Sequence, residues 1–413
     1  MLIIGTMGVG ILTLDDLDTA GKTVFVRVDM NCPINPKKEE IIESSRISEA
    51  SVTVGDLANS KVVVASHQGR VGRYDYTGMK QHAQILEKLL GKKVDYVEDV
   101  IGPEARKRIS SMNDGDVLML DNLRFCAEEN YEFNPEDAAN TVMVKRLSEL
   151  LDVCVLDCFP SAHRAHPSIV GFPYLLPSCG GRLVTKEIQS LDKVLTVAKA
   201  PYIVVLGGSK ISDRLEAIDT LIQSGRSDQV LLTGLIANIF LSAEGKIKRD
   251  LMVAKEDVLI EKAEKLILKY PNRFITPLDV AIEKSGKRVE KDVDKLDKED
   301  VVLDIGHKTV ENYSRTIKSA GTVFISGPAG AFERADYSFG TESLLKAVAS
   351  SMSTTIVSGG HLTAALQKFG VRDQIDHVST AGGALVLYLA GKKLPMIEAL
   401  EMAAERDGKR KQA

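Results

Sequence analysis

The chain alternates short apolar runs with amphipathic stretches. Apolar runs rich in β-branched residues predict strands at Thr23–Val28, Val62–Ala65, Val117–Leu120, Val153–Leu156, Tyr202–Leu206, Val230–Leu232, Phe274–Ile275, Thr322–Ile325 and Thr355–Val357. Between most of them lie stretches with the apolar spacing of a helix, such as Met79–Leu90 and Asp213–Gln223. Strands that alternate with helices form parallel sheets covered on both faces, which agrees with the near-continuous apolar character of these runs. The pattern therefore predicts an α/β protein with parallel sheets.

The length of the chain and one proline-rich stretch indicate two domains. At 413 residues the chain exceeds what a single hydrophobic core usually organises. The stretch Pro173–Gly181 is rich in proline, glycine and serine, and Thr185–Val197 then carries apolar residues at helical spacing before Pro201 opens a new strand. We therefore predict that residues 1–182 form an N-terminal domain and that residues 183–200 form an interdomain helix and hinge.

The distribution of charge excludes some classes of partner. Glu283–Glu299 and the basic Arg406–Lys411 are both typical of solvated surface rather than of binding tails. A net charge of −4, with scattered basic residues, argues against broad nonspecific binding of nucleic acid. No run approaches the ~20 apolar residues of a membrane span, and the apolar N-terminus has no basic leader. We expect a cytoplasmic protein without nucleic-acid or membrane partners.

The five cysteines favour a reducing compartment. Their number is odd, and Cys154 and Cys158 alternate with apolar residues at a predicted strand, which is typical of buried free thiols. An alternative is that these two residues bind a metal together with His163 and His166. Packing is the simpler interpretation, because cysteines at apolar strand positions are usually core residues.

The predicted strands of the first half end in polar and basic residues. The endings are Asp29-Met30-Asn31, Ser66-His67-Gln68-Gly69-Arg70, Asp121-Asn122-Leu123-Arg124 and Asp157 through His163-Arg164. Open α/β sheets bind ligands outside the carboxyl ends of their strands. The arginines at or near these ends would accumulate positive charge and favour an anion with phosphate and carboxylate or hydroxyl groups; they are Arg46, Arg70, Arg124 and Arg164. Structural ion pairs are the alternative explanation.

The predicted strands of the second half end in glycine. The endings are Gly207-Gly208-Ser209-Lys210, Thr233-Gly234, Ser326-Gly327-Pro328 and Ser358-Gly359-Gly360. Glycines there let backbone N–H groups approach phosphate oxygens, while Lys210 supplies a point charge. A helix predicted at Leu362–Phe369 would present its N-terminus to an anion, and Glu333 suits a ribose hydroxyl. These loops predict a mononucleotide site, and tight turns alone are the alternative.

In their order along the chain, these motifs resemble the phosphoglycerate kinase family from about Val24 to Leu400. The resemblance rests on Val26-Arg27-Val28-Asp29-Met30-Asn31, Ser45-Arg46-Ile47, Ser66-His67-Gln68-Gly69-Arg70, Asn122-Leu123-Arg124-Phe125, Ala162-His163-Arg164-Ala165-His166, Leu206-Gly207-Gly208-Ser209-Lys210, Leu303-Asp304-Ile305-Gly306, Gly327-Pro328 and Thr380-Ala381-Gly382-Gly383. Cys158-Phe159-Pro160-Ser161 and the histidine after Gly360 are similar to the archaeal branch.

The resemblance implies an α/β fold of two Rossmann-like three-layer domains with parallel sheets, joined by an interdomain helix and facing a cleft. Residues 1–182 would bind 3-phosphoglycerate, residues 183–200 would form the hinge, residues 201–385 would bind the nucleotide, and residues 386–413 would return to the N-terminal domain. The implied reaction is reversible phosphoryl transfer between Mg-ATP and the carboxylate of 3-phosphoglycerate, giving 1,3-bisphosphoglycerate and ADP. A monomer or a homodimer is compatible with the family.

The resemblance also implies residue roles, position by position. The glycerate would be bound in the first half by Asp29, Met30, Asn31, Arg46, His67, Gln68, Gly69, Arg70, Arg124 and Arg164. The nucleotide would be bound in the second half by Gly207, Gly208, Lys210, Arg214, Gly234, Gly306, Glu333, Ser358, Gly359, Gly360 and His361. Arg46 and Lys210 are the expected catalytic pair on the transferred phosphoryl group. No protein ligand is assigned to the Mg²⁺.

Three positions depart from the family's pattern. His361 stands where an aspartate usually helps to hold the metal, Arg214 where lysine is common, and Ser326 where asparagine is usual. A magnesium ion held mainly by phosphates and water tolerates the first change. Arginine keeps the charge of lysine but not its geometry. A noncatalytic binding protein of this family, or a kinase for a related phosphorylated acid, is the alternative function.

Overall fold

The computed structural model describes residues 10–208, 211–247, 255–297, 299–379 and 381–412. Within them the chain forms two compact units, with the boundary between Gln189 and Ser190 and a return to the first unit at Lys393. Each unit is built around a six-stranded sheet in which all strands are parallel. The predicted α/β class with parallel sheets is thus confirmed.

The first unit has its sheet in the order β3-β4-β2-β1-β5-β6. The strands are β1 Thr23–Val28, β2 Lys61–Ala65, β3 Asp95–Tyr96, β4 Val117–Met119, β5 Val153–Asp157 and β6 Ser178–Gly180. The helices are α1 Ser45–Asp56, α2 Lys80–Leu90, α3 Pro103–Ser110, α4 Pro135–Ala139, α5 Val142–Ser148 and α6 Pro167–Leu175. Every residue of β1 and β5 is buried, as expected for central strands covered on both faces.

A single helix, α7 Arg182–Val197, carries the chain from the first unit into the second. The observed boundary at 189/190 falls inside this helix and within residues 183–200, which were predicted as the interdomain helix and hinge. The reason is that α7 contains no glycine or proline to break it, so its first turns pack with one unit and its last turns with the other.

The second unit has its parallel sheet in the order β15-β14-β13-β7-β8-β9. The strands are β7 Tyr202–Leu206, β8 Gln229–Leu232, β9 Phe274–Ile275, β10 Asp279–Lys284, β11 Lys287–Asp292, β12 Val302–Ile305, β13 Thr322–Ser326, β14 Thr354–Ser358 and β15 His377–Ser379. The helices are α8 Ile211–Gln223, α9 Gly234–Ala243, α10 Glu256–Lys269, α11 His307–Lys318, α12 Phe339–Ala349, α13 Gly360–Lys368 and α14 Gly383–Leu389.

The segment Glu283–Glu299 is more ordered than its composition indicates. Strands β10 and β11 form an antiparallel hairpin, and β12 pairs with the other edge of β10 to complete a three-stranded sheet. The residues of β11 are exposed or half-buried, which agrees with a solvated surface, and cross-strand pairs such as Glu283 with Arg288 place opposite charges side by side. Charge content alone does not separate such a hairpin from a loop.

The last helix, α15 Pro395–Gln412, belongs to the first unit. The backbone N–H of Met396 donates to the carbonyl of Ala162 at 3.1 Å, and Arg406 donates to the carbonyl of Leu176 at 2.7 Å. The return begins at Lys393 rather than at residue 386, since α14 remains part of the second unit.

The proline-rich stretch Pro173–Gly181 is not a linker. Pro173 lies inside α6, and Ser178–Gly180 forms β6, the edge strand beside β5. This strand was not predicted from the sequence, because three residues are too few to show a periodic pattern.

A buried carboxyl at the end of β5 anchors the start of α7. Asp157 is 1% exposed, accepts a hydrogen bond from Thr53 Oγ1 at 2.6 Å, and accepts another from the backbone N–H of Val184 at 2.9 Å. Burial raises the pKa of Asp157 to about 6, even though these hydrogen bonds act in the opposite direction. The folded protein therefore binds this proton more tightly than the unfolded chain does.

Replacing Asp157 with asparagine is expected to change the pH dependence of stability. The folded pKa lies above the ordinary value of about 3.9, so the stability that protonation contributes is complete below pH ~4 and is lost as the pH rises through ~6. The loss amounts to about 3 kcal/mol. In urea unfolding at pH 4 and pH 7, the free energy of unfolding of the variant, relative to that of the wild type, should be higher at pH 7 than at pH 4. A difference that is the same at both pH values would contradict the assignment.

Candidate functional site

Each parallel sheet has a topological switch point, and predicted site residues lie at both. In the first sheet the chain runs outward from β1 through β2 on one side and resumes at β5 on the other. In the second sheet the same relation holds for β7, which lies between β8 and β13. Loops at the carboxyl ends of such neighbouring strands diverge and leave a crevice for ligands.

At the first switch point, Asp29 connects the ends of β1 and β5. Its carboxylate pairs with Arg46 at 2.5 Å and accepts a hydrogen bond from Ser161 Oγ at 2.7 Å. Burial acts to raise the pKa of Asp29, but the charge of Arg46 and the hydrogen bond from Ser161 outweigh it and hold the pKa well below its usual range. Asp29 is therefore ionised and fixes the direction of Arg46 on α1.

The loops after β1 and β2 are joined by side-chain hydrogen bonds. Asn31 Oδ1 accepts from the backbone N–H of Gly69 at 3.0 Å, and Gln68 Oε1 accepts from that of Cys32 at 2.9 Å. Gly69 has φ +65, and a Cβ there would lie 2.2 Å from the carbonyl oxygen of Asp75. Only glycine permits this close turn.

Positive charge accumulates beside these loops. Arg124, which follows β4, is buried and donates to the carbonyl of Gly69. Burial and the charges of Arg164, Arg27 and Arg70 lower the pKa of Arg124 to about 10. Its guanidinium is still charged at neutral pH, so the crowded cations are relieved when an anion binds among them.

His67 lies within the same electrostatic group. Burial lowers the pKa of its ring well below the usual range, and the charges of Arg27, Arg124 and Arg164 lower it further against the opposing charge of Asp29. The ring is consequently neutral at physiological pH. His67, Arg124 and Arg164 are thus brought together as the sequence analysis expected, while Arg70 is exposed beside them.

Two predicted glycerate residues have side chains that face inward. Met30 is fully buried in the hydrophobic core, and its backbone N–H donates to Ser66 Oγ at 2.9 Å. Gln68 is also fully buried and bonds to both the N–H and the carbonyl of Cys32. Their expected part in ligand binding is therefore limited to the backbone and to holding neighbouring loops.

At the second switch point, glycines from three strand ends touch one another. The N–H of Gly207 donates to the carbonyl of Ser326 at 2.9 Å, and that of Gly208 donates to Pro328 at 2.8 Å. A Cβ on Gly207 would lie 2.2 Å from Pro328 O, and a Cβ on Gly234 would lie 2.7 Å from Gly208 N. Side chains cannot enter this cradle, which leaves a backbone surface of the kind that phosphate groups approach.

Arg214 on α8 lies against the glycine cradle. Its Nη1 donates to the carbonyl of Ser326, and its Nη2 would be 2.6 Å from a Cβ placed on Gly327. A lysine ammonium has no planar fork with which to span these groups. Arg214 therefore keeps a positive charge at the predicted phosphate site while also packing against its floor. Lys210 lies outside the described residues, as does Ser209.

Gly306 is the N-cap residue of α11 and lies beside the buried side chain of Asp279. A Cβ at this position would lie 2.3 Å from Asp279 Cγ, so only glycine fits here. Asp279 itself accepts from the N–H groups of Lys308 and Thr309 and caps the helix. Glu333, the predicted ribose residue, is exposed on the loop after β13.

The loop after β14 presents an open helix N-terminus. Gly359 has φ +106, and its N–H donates to the carbonyl of Ser379 at 2.9 Å. Among the described residues, no atom other than those of the adjoining residues and the backbone of the helix lies within 4 Å of a Cβ built on Gly360, the first residue of α13. The adjoining Ser358 bonds to the carbonyl of Ala381, and the exposed His361 ring lies 6.0 Å from that of Phe332. This N-terminus is accessible to an anion.

A structural metal is not supported by the described part of the chain. Within it, no group of three or more His, Cys, Asp or Glu side chains is arranged to hold an ion. Cys154 and Cys158 are buried, and Cys158 Sγ contacts Met396 Sδ at 3.8 Å, so packing accounts for them. All five cysteines are free thiols. No helix among the described residues is long and apolar enough to cross a membrane.

Several residues at the first site carry no role in the sequence analysis. Arg27, Glu129 and Ser168 form a buried polar group behind His67, and Ser161 supports Asp29. The one available signal was Arg27, a charged residue in the middle of an apolar strand. Glu129 lies in a polar stretch where nothing distinguishes it from Glu128.

Comparisons with known proteins all identify the same protein family. A family model described as phosphoglycerate kinase matches residues 14–392. A protein named phosphoglycerate kinase from Methanothermus fervidus is 40% identical over 404 residues, covering 96% of this chain and 98% of that protein. Phosphoglycerate kinase 2 of Methanosarcina acetivorans is 42% identical and covers 95% of each chain. The crystal structure of phosphoglycerate kinase from Pyrococcus horikoshii OT3 has a TM-score of 0.85 at 36% identity, covering 95% of this chain and 99% of that one.

Proposed function

The chain belongs to the phosphoglycerate kinase family, and on that premise we propose that it transfers a phosphoryl group reversibly between ATP and the carboxylate of 3-phosphoglycerate. The products are ADP and 1,3-bisphosphoglycerate. The observation that carries this proposal is the pair of switch points, with crowded arginines at one and a bare glycine cradle at the other. The first suits a small phosphorylated acid, and the second suits the phosphates of a nucleotide.

We assign the glycerate to the first switch point. Arg124, Arg164 and exposed Arg70 offer donors to a phosphate and a carboxylate. Asp29 and Asn31 supply acceptors, and Asn31 is already held by Gly69. Arg46, fixed by Asp29, is assigned to the carboxyl end at which the phosphoryl group is transferred.

We assign the nucleotide phosphates to the glycine cradle and to the N-terminus of α13, with Arg214 adjacent. Magnesium then arrives with the nucleotide as part of the substrate. His361 offers a nitrogen at the position of the family's carboxylate, and Mg²⁺ prefers oxygen ligands. We therefore assign no direct protein ligand to the ion.

The reaction requires little covalent chemistry from the protein. A carboxylate oxygen of 3-phosphoglycerate attacks the γ-phosphorus of ATP, the bond from that phosphorus to the β,γ-bridging oxygen breaks, and ADP leaves with the electron pair. No general base is needed, because the attacking carboxylate is already ionised. Positioning and neutralisation of the transferred group supply the rate, and we assign these tasks to Arg46 and Lys210.

Transfer requires both ligands to come within bonding distance and water to be excluded. We propose that α7, which spans the boundary between the two units, acts as the hinge for this step. A domain closure of this kind would favour phosphoryl transfer to the substrate, because hydrolysis of ATP competes with it whenever water reaches the phosphoryl group.

A coupled assay tests the proposed function. Purified protein with ATP, magnesium and 3-phosphoglycerate should form 1,3-bisphosphoglycerate, which is followed by its NADH-dependent reduction. Unphosphorylated glycerate should not replace the substrate, because the arginine cluster then has one anion fewer to bind. The same preparation of Arg46→Ala is the matched control for contaminating kinase. Absence of turnover with 3-phosphoglycerate, or preferred turnover of another phosphorylated acid, would refute the proposal.

Loss of Arg70 or Arg164 is expected to weaken substrate binding rather than chemistry. Each alanine variant should raise the KM for 3-phosphoglycerate about tenfold to hundredfold, because a charge-assisted hydrogen bond to the substrate disappears. Steady-state kinetics measures the split between KM and kcat. Arg108→Ala is the matched control, since Arg108 on α3 is paired with Asp95 away from the switch point. An unchanged KM in either variant would remove that residue from the site.

A further inference from the structure

Four residues form a chain of buried hydrogen bonds behind the first switch point. Arg27 Nε donates to Ser168 Oγ at 2.9 Å, and Arg27 Nη2 lies 3.1 Å from His67 Nδ1. Ser168 in turn donates to Glu129 through its hydroxyl and, at 3.0 Å, through its backbone N–H. Arg27 is 1% exposed and Glu129 is fully buried. We refer to Glu129, Ser168, Arg27 and His67 as the buried quartet.

The direction of each bond in the buried quartet is fixed by chemistry. A guanidinium is always protonated in proteins and only donates, so Nδ1 of His67 must accept from Arg27. An imidazolium ring has no acceptor, and a neutral ring protonated on Nδ1 has none at that atom. His67 is therefore neutral, with its single proton on Nε2.

Glu129 and the carbonyl of Val28 both help to hold Arg27, whose Nη1 donates to that carbonyl. Its Oε1 lies 3.8 Å from Arg27 Nη2, and Ser168 bridges the two charges through hydrogen bonds to both. Removing one partner of a buried pair leaves an uncompensated charge, which is strongly unfavourable. Without Glu129, the Ser168 hydroxyl loses its acceptor and Arg27 loses a carboxylate neighbour, which weakens the hold of Arg27 on Nδ1 of His67.

We propose that Arg27 and Glu129 are positioning residues of the 3-phosphoglycerate site, which hold His67 as a neutral Nε2–H donor directed to the anionic substrate. The identity of that anion rests on the proposed function, whereas the state of the ring does not. A fixed donor suits this place, because a second tautomer would present a lone pair to the substrate and repel it.

The state of the ring can be observed without any activity. Protein labelled with ¹⁵N in histidine gives long-range ¹H–¹⁵N correlations that distinguish the two tautomers and the imidazolium, and His67→Gln identifies the signals of residue 67. The expected pattern at pH 7 is a neutral ring with Nε2 protonated. A ring that is cationic, or protonated on Nδ1, overturns the proposal directly, and the tautomer itself is read from wild-type protein.

Two variants then test the connection to Glu129. Glu129→Gln and Ser168→Ala should mix the tautomers of His67 and raise the KM for 3-phosphoglycerate, by about tenfold for Glu129→Gln, as for loss of one charge-assisted hydrogen bond. Glu128→Gln is the matched control, because Glu128 caps α5 through the N–H groups of Val142 and Met143 and does not belong to the quartet. It should leave the spectrum of His67 and the KM unchanged.

The outcomes separate this proposal from the proposed function. Nε2-protonated His67 that mixes tautomers in Glu129→Gln supports the positioning role even if 3-phosphoglycerate is not a substrate, and failure of the coupled assay bears on the proposed function alone. A tautomer that persists unchanged in both variants overturns the role of Glu129, whatever the activity. Wild-type turnover with an Nδ1-protonated ring overturns the positioning role and leaves the proposed function intact.

Discussion

Replacing Arg46 with alanine is expected to lower kcat by about 10²- to 10⁴-fold, with only a modest rise in the KM for 3-phosphoglycerate. The reason is that an arginine aimed at a transferring phosphoryl group acts mainly on charge that develops in the transition state. Asp29 already fixes the Arg46 guanidinium at 2.5 Å, so the protein has met the cost of orienting it before substrate binds. Steady-state kinetics in both directions measures the effect.

A structural explanation of the same result must be excluded. Asp29 is 7% exposed and loses its partner in Arg46→Ala, so thermal unfolding should accompany the kinetics. Arg46→Lys serves as the conservative variant: it keeps the charge without the planar fork and should recover only part of kcat. An unchanged kcat in Arg46→Ala, in a folded protein, would remove Arg46 from the transition-state role.

Replacing Gly207 with alanine is expected to abolish nucleotide binding and to destabilise the second unit by about 3 kcal/mol. The added Cβ would lie 2.2 Å from Pro328 O and 2.4 Å from Thr233 Oγ1, so the cradle must open to accept it. The first unit contains none of these atoms. Calorimetry should therefore show that ATP no longer binds while 3-phosphoglycerate binds as before.

Gly360→Ala is the matched control for this variant. An alanine Cβ there meets no atom of the described part of the chain within 4 Å, apart from adjoining residues and the backbone of the helix, so the free energy of unfolding should stay close to that of the wild type. Any loss of ATP affinity in Gly360→Ala then reports a close approach of the ligand to the N-terminus of α13. Normal ATP binding by Gly207→Ala would show that the nucleotide lies elsewhere.

The positions of the predicted site residues in the fold could be inferred in part from the sequence. Strand ends rich in arginine in one half and in glycine in the other lie beside the switch points of the two sheets, since parallel strands deliver their carboxyl ends to one edge. The pattern could not show that the Met30 and Gln68 side chains turn inward, because residues adjacent in a loop can face opposite directions.

Two of the missed strands are either very short or highly charged. Strand β6 has only three residues, and five of the six residues of β11 are charged. Neither strand therefore shows the apolar pattern of a strand. Both exist because a neighbouring strand offers a free edge, β5 in one case and β10 in the other. Such pairing is a property of the assembled sheet.

The sequence by itself determined the fold class and the family, and it predicted an anion half and a nucleotide half, because apolar periodicity and the chemistry of strand ends are local properties. The tertiary structure alone decided the tie between Asp29 and Arg46, the place of Arg214 in the glycine cradle and the buried quartet around Arg27. These depend on side chains as far apart as Arg27 and Ser168, which are 141 residues apart in the chain. Folding brings them into a buried setting, where an unpaired charge is too costly to persist.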